Sequence, residues 1–255
     1  MSTAWSCGGG TQSAAVAALI IQGKLPKPDV SAIVDTGREA SETWEFYESV
    51  MAPELWKMGV ELVRIPHSFD GSGYNTVDIY SGAKKETIVM PMFTDKDGLG
   101  KLPKYCSNEW KNRPFSRFVR ERGFTSGEIW IGFSIDEMER MRRHDLTKRW
   151  NHVYPLVDLR MTRGDCIALV ESMGWGVPPR SACWMCPYRN DTEWLHLKEN
   201  YPEDFSRAVK LEADLQQRDP NVYFHDTCVP LEDVSFNEGQ DDMFAKPCAS
   251  GMCFT

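Results

Sequence analysis

Residues 3 to 22 run without a break from a short apolar strand signal through three glycines into an alanine-rich helix. Thr3 to Ser6 reads as strand, and Gly8, Gly9 and Gly10 strip the connection of side chains. About Gln12 to Gln22 reads as helix with Gly23 as its C-cap. The same alternation continues downstream. Val30 to Val34 is a buried strand ending in Asp35-Thr36-Gly37, and Glu42 to Met58 has helical spacing in Trp44, Tyr47, Val50, Met51 and Leu55. Pro53 is placed to kink or restart that helix. Val60 to Ile65 and Glu86 to Met92 are strand candidates on either side of a Gly/Ser-rich loop around Gly71. Glu128 to Phe133 is another strand, and Ser134 opens a helix. Strands alternating with helices predict an α/β fold built on a parallel sheet covered on both faces.

From Thr162 the pattern changes to helices broken by loops, at about Arg163 to Met173, Asp191 to Asn200 and Pro202 to Gln217. From Leu231 the chain is acidic, turn-rich and short of apolar residues, which predicts an extended arm. The expected divisions are therefore an α/β domain at 1–160, a helical region at 161–230 and an arm at 231–255. A chain of 255 residues has room for such a core domain with an appendage.

Mean hydropathy is -0.43, and no apolar run approaches the roughly 18 residues a membrane helix needs. Ala14 to Ile21 is too short for that and lacks the basic flank of a signal peptide, so the expected setting is cytoplasmic. The net charge of -8 excludes a protein that coats nucleic acid non-specifically. Charge is nonetheless uneven: residues 101–149 carry twelve Lys/Arg against seven Asp/Glu, whereas 190–255 carry five against fourteen. An anionic ligand belongs against the middle of the chain, unless that stretch is simply a solvated face.

Four segments offer polar chemistry. In Ser6-Cys7-Gly8-Gly9-Gly10-Thr11-Gln12-Ser13 the backbone can approach a phosphate closely, the helix N-terminus points N–H groups at it, and Thr11 and Ser13 add hydroxyls. A tight turn before a helix uses the same residues. Asp35-Thr36-Gly37, with Glu39 and Thr43 after it, sits at a strand end where a carboxylate can accept from a ribose hydroxyl or simply cap a turn. If residues 111–122 are helical, Arg113, Arg117 and Arg120 share one face opposite Phe115, Phe118 and Val119, and such a stripe grips phosphate or faces water. Ser134 and Glu137 form a capping box after Gly132, with Arg140 one turn on.

Cysteine is the most informative residue type. Eight are present, and in a reducing compartment they serve metals or catalysis more often than disulfides. Cys183-Trp184-Met185-Cys186 places two thiolates on one metal, and Cys106 can supply a third. Three cysteines suit an iron–sulfur cluster with one iron left open, whereas a fourth ligand from Cys166, Cys228 or His225 suits structural zinc. Cys248 and Cys253 close the chain as a pair of thiols on the arm.

Taken in order, SCGGGTQS, DTGREASET, CSNEWKNRP, IGFSIDEMER, YPLVDLRMTRGDC and SACWMCPYR resemble the phosphoadenosine-phosphosulfate (PAPS) reductase-like branch of the PP-loop ATP pyrophosphatases. The resemblance implies a Rossmann-like sheet of the adenine-nucleotide α-hydrolase type with a helical C-terminal part. It implies ATP or PAPS as ligand, with Mg²⁺, bound by Ser6, Gly8, Gly9, Gly10, Thr11, Gln12, Ser13, Asp35, Thr36, Gly37, Gly132 and Ser134. Lys111 and Arg113 match the basic pair near the phosphates. Two positions depart from the usual SGGxDS motif: Gly8 stands for its first Ser and Gln12 for its Asp, which removes a carboxylate from the Mg²⁺ site.

Thiolases of this group join sulfur to an adenylated acceptor and release pyrophosphate, and several hold a [4Fe-4S] cluster on one cysteine plus a CxxC. In this chain those positions match Cys106, Cys183 and Cys186. The expected activity is thus an ATP-dependent sulfurtransferase with a sulfur donor and a tRNA, DNA or nucleotide acceptor, in a chain that could be a homodimer. The runner-up is a PAPS-type reductase drawing on a thiol reductant through Cys253. A nucleotide-binding protein that has lost catalysis comes third.

Overall fold

The computed structural model describes residues 2–66, 80–81, 84–141 and 149–236. In chain order its strands are β1 (Thr3–Cys7), β2 (Val30–Val34), β3 (Leu62–Ile65), β4 (Tyr80–Ser81), β5 (Lys84–Ile88), β6 (Phe93–Thr94), β7 (Gly100–Lys101), β8 (Gly127–Ile131), β9 (Trp150–Val153) and β10 (Val222–Tyr223). The α-helices are α1 (Thr11–Ile21), α2 (Ser41–Phe46), α3 (Ala52–Lys57), α4 (Arg113–Glu121), α5 (Pro155–Asp158), α6 (Arg163–Ser172), α7 (Asp191–Asn200) and α8 (Pro202–Gln216).

The main sheet has the order β3-β2-β1-β8-β9, and every pairing in it is parallel. This is the Rossmann-like α/β architecture expected. All five residues of β2 are buried, as a strand covered on both faces requires. The expected strand at Glu86 to Met92 is displaced to β5, which forms an antiparallel pair with β4 and stands outside the main sheet. The strand that completes the main sheet is β9. Its Trp150-Asn151-His152-Val153 lacks the unbroken apolar run that marks β2, so periodicity does not reveal it.

The core follows the layers. Trp5 of β1 and the small residues Ala14, Ala15 and Ala17 of α1 are wholly buried, in one cluster with Met51, Leu55, Leu156, Cys166 and Val170. Alanine lets α1 lie close to the sheet while α6 covers its other side. A second cluster gathers Met90, Met92, Trp110, Trp184, Trp194 and Phe224 beneath the cysteine segment. Leu231, where the arm was expected to begin, is fully buried there and its N–H donates to Glu212; residues 237–255 of the expected arm lie outside the described residues. Pro53 does not break its helix. Tyr47–Met51 forms a π-helical turn between α2 and α3, and Pro53 occupies the first turn of α3, where no N–H is missed.

Helix starts are built locally. Ser134 with Glu137, Thr162 with Asp165, and Asn190 with Glu193 are reciprocal capping boxes. α2 is capped from a distance instead: the Ser41 N–H donates to Asp204 Oδ2 on α8 at 2.7 Å. No helix among the described residues is long and apolar enough to cross a membrane.

Candidate functional site

Strand order reverses between β1 and β8, because β1 is followed in sequence by strands on one side and β8 lies on the other. Sheets of this kind bind ligands beyond the carboxyl ends of their strands at such a reversal. A cleft opens there, lined by Ser6, Cys7 and Gly8 at the end of β1, Ile33 and Val34 from β2, Ile131 and Gly132 at the end of β8, and by Glu39 and Lys111.

The glycine loop is shaped by its neighbours. Gly8 N–H donates to Ser13 Oγ at 2.8 Å, and Ser181 Oγ donates to Gly8 O. Thr11 N–H donates to Pro179 O at 3.1 Å. Gly9 adopts φ +80°, and a Cβ on it would sit 2.7 Å from Thr43 Cγ2. On Gly10 a Cβ would meet Ser181 N at 2.6 Å. Packing therefore accounts for Gly9 and Gly10, and one N–H of the helix N-terminus is already satisfied by the 179–181 segment. Sequence reasoning had no signal for that strap. Gln12, at the position where the motif has Asp, donates through Nε2 to Glu137 Oε2 at 2.9 Å, which ties α1 to the Ser134 capping box. Its amide acts as a structural strut, and Ser134 is buried beneath it.

Asp35 is likewise committed. Its Oδ1 accepts from Gly37 N–H at 2.7 Å, and its Oδ2 accepts from Arg64 Nη2 at 2.7 Å. Thr36 Oγ1 accepts from Arg38 N–H. The side chains of Asp35 and Thr36 thus build the turn. The residue this turn delivers to the cleft is Glu39.

Glu39 is paired by backbone with Cys183, and the Ala40 and Trp184 N–H groups donate across this bridge to Ala182 O and Arg38 O. Lys111 comes from a π-helical turn, Asn108–Asn112, whose Trp110 anchors it in the second core. Lys111 Nζ stands 2.6 Å from Glu39 Oε1, and the two side chains are only 15% and 1% exposed. Burial acts to lower the Lys111 pKa, but Glu39, Cys183 and Cys106 outweigh it and hold the pKa above the ordinary lysine value. Lys111 therefore enters the cleft as an ammonium. Arg113 does not join it: it is 57% exposed and paired with Glu109 at 2.7 Å. Within the expected arginine stripe Arg117 pairs with Glu121, while Phe115, Phe118 and Val119 face the core as the spacing predicts.

Cys106, Cys183 and Cys186 stand near enough to act electrostatically on one another. Burial pushes the Cys183 thiol up, with Glu39 adding to the effect, and burial also raises Cys106. Lys101 and Lys104 flank the group, and burial lowers Lys104 to about 8. Among the described residues no set of three or more His, Cys, Asp or Glu is spaced to hold a single metal ion. Cys248 and Cys253, like the loop around Gly71, lie outside the described residues.

Cys7 and Cys166 are separate. Burial pushes both thiols up to about 12 from an ordinary 9.0. Between those values the unfolded chain gives up protons that the folded chain keeps, so stability falls as pH rises. The expected slope is up to about 1.4 kcal/mol per pH unit for each thiol. Because Lys104 acts in the opposite direction over this range, the change in urea midpoint between pH 8 and pH 10 is compared between the native protein and Cys7→Ala and Cys166→Ala; an equal change in all three would refute it.

No protein-family model and no curated protein matches the chain. Among solved structures it is similar to the U34-tRNA thiolase NcsA from Methanococcus maripaludis with its [4Fe-4S] cluster. The identity is 13% over 85% of this chain and 72% of that one, with a TM-score of 0.42.

Proposed function

We propose that this chain is an ATP-dependent sulfurtransferase that activates a nucleic-acid or nucleotide-like acceptor and releases pyrophosphate. The observation that carries the reading is the position of Lys111. It lines the strand-end cleft beside the glycine loop, and it is also the cation that Cys183 and Cys106 act upon. In this reading phosphate chemistry and sulfur chemistry share one wall.

In this reading Gly8 and the first turn of α1 hold the nucleotide phosphates, and Ser6 and Gly132 bound the cleft at either side. Lys111 stabilises the negative charge that grows on the departing pyrophosphate. Its burial makes that interaction stronger than it would be in water. Cys106, Cys183 and Cys186 hold the [4Fe-4S] cluster, which when bound offers one iron without a protein ligand for exogenous sulfur. The Glu39–Cys183 bridge keeps the sulfur side registered against the nucleotide side.

The test is iron and acid-labile sulfide content after anaerobic purification, with nucleotide affinity and sulfur-35 transfer to tRNA, DNA and free nucleotides. Cys183→Ser should keep nucleotide affinity within about twofold and lose iron and at least 100-fold of transfer. Full iron content with full transfer in that variant would overturn the reading.

A further inference from the structure

We infer that Glu39 supplies the protein carboxylate for a divalent cation that enters the cleft with the nucleotide phosphates. This rests on the nucleotide reading above and deepens it. The Glu39 side chain is 1% exposed and lines the cleft. One oxygen pairs with Lys111, while Oε2 is buried with no hydrogen-bond partner among the described residues. Buried polar atoms are nearly always satisfied, and one left open in a cleft marks a place where something binds. Thr43 Oγ1 is buried and unpartnered in the same sense, on a side chain packed against Gly9.

The chemistry of the open atom selects the ligand. A carboxylate oxygen is an acceptor, so its partner is a cation or a donor. Phosphates arriving on the glycine loop bring negative charge toward Glu39, and that approach is unfavourable unless a cation stands between them. Mg²⁺ meets this need, because it is commonly held by one or two carboxylates together with substrate phosphates and water. Lys111 then serves the phosphates from the other side of the same carboxylate. A single carboxylate does not retain the ion alone, which agrees with the lack of any three-residue metal grouping among the described residues. Gln12, tied to Glu137, takes no part in this site.

Binding of a non-hydrolysable ATP analogue, measured by calorimetry in EDTA and in magnesium, tests the inference without turnover. Magnesium should tighten binding by at least about tenfold in the native protein and by less than about twofold in Glu39→Gln, with Glu39→Asp intermediate. The amide in Glu39→Gln still offers an oxygen to Lys111. Should it nevertheless fail to fold, paramagnetic broadening by Mn²⁺ in the presence of the analogue, compared between native protein and Glu39→Asp, decides the same question. An equal magnesium effect, or equal broadening, in native and variant protein overturns this inference and leaves the nucleotide reading standing. Absence of analogue binding in either buffer overturns both.

Discussion

Lys111→Met should cost about 3–5 kcal/mol of folding stability and abolish pyrophosphate release. The first effect follows from what the substitution leaves behind. Glu39 is 1% exposed, and without its partner at 2.6 Å it is a buried carboxylate that must either remain charged in an apolar setting or take up a proton. The second follows, on the proposed function, from removing the cation that would face the nucleotide phosphates. The double variant Lys111→Met/Glu39→Gln separates the two, because removing both charges relieves the stability cost but returns no catalysis. Urea denaturation of the single and double variants gives the coupling energy. A single variant as stable as the native protein would show that the pair is solvated and that Lys111 is not held in the cleft by Glu39.

Gly10→Ala should be nearly as damaging, through geometry rather than charge. A Cβ at this position would lie 2.6 Å from the Ser181 nitrogen, a backbone atom that cannot rotate away. Either the loop or the 179–182 segment must move. Movement of the loop would displace the helix N-terminus from the phosphates that the proposed function places there. Movement of the segment breaks the Thr11 N–H to Pro179 contact and the Ala40–Ala182 contact that register Cys183. The expected result is a loss of about 2–4 kcal/mol in stability together with at least tenfold in nucleotide affinity. Gly23→Ala is the control, since nothing lies within 4 Å of a Cβ there and only the left-handed backbone (φ +71°) resists it. Equal behaviour of the two variants would show that a Cβ at Gly10, whose φ of -103° any residue adopts, is accommodated without displacing Ser181.

The sheet was legible because its strands are short apolar runs, VSAIV above all, alternating with stretches of helical spacing. β9 was not, because a half-polar edge strand carries no periodic signature of its own and is stabilised by pairing with β8. The site divides in the same way. Local chemistry marked the glycine loop and the CxxC, each recognisable within a few residues of sequence, whereas Lys111 entered only through the family resemblance. The roles inside the Asp35-Thr36-Gly37 motif were not legible. Asp35 reads as a ligand until Arg64, 29 residues away, is seen to occupy it, and Glu39 reads as a flanking residue until the fold buries it against Lys111. Gln12 reads as a loss until Glu137, 125 residues on, is found to hold it. Burial and long-range partners decide these cases, and neither is a property of a short motif.

The strap from Pro179 to Ala182 has a consequence for biosynthesis. The glycine loop emerges early in translation, yet its Thr11 N–H and its Gly8 carbonyl find their partners only about 170 residues later, in Pro179 and Ser181. Loop closure over so long a separation is slow, so β1 and α1 must wait with an unfinished turn while the rest of the sheet forms. The last stretch to arrive is also the one that carries Cys183 and Cys186. A ribosome that stalls before residue 179 therefore displays a nascent chain whose glycine loop lacks its partners and which lacks the Cys183–Cys186 pair, and both arrive in a single late step.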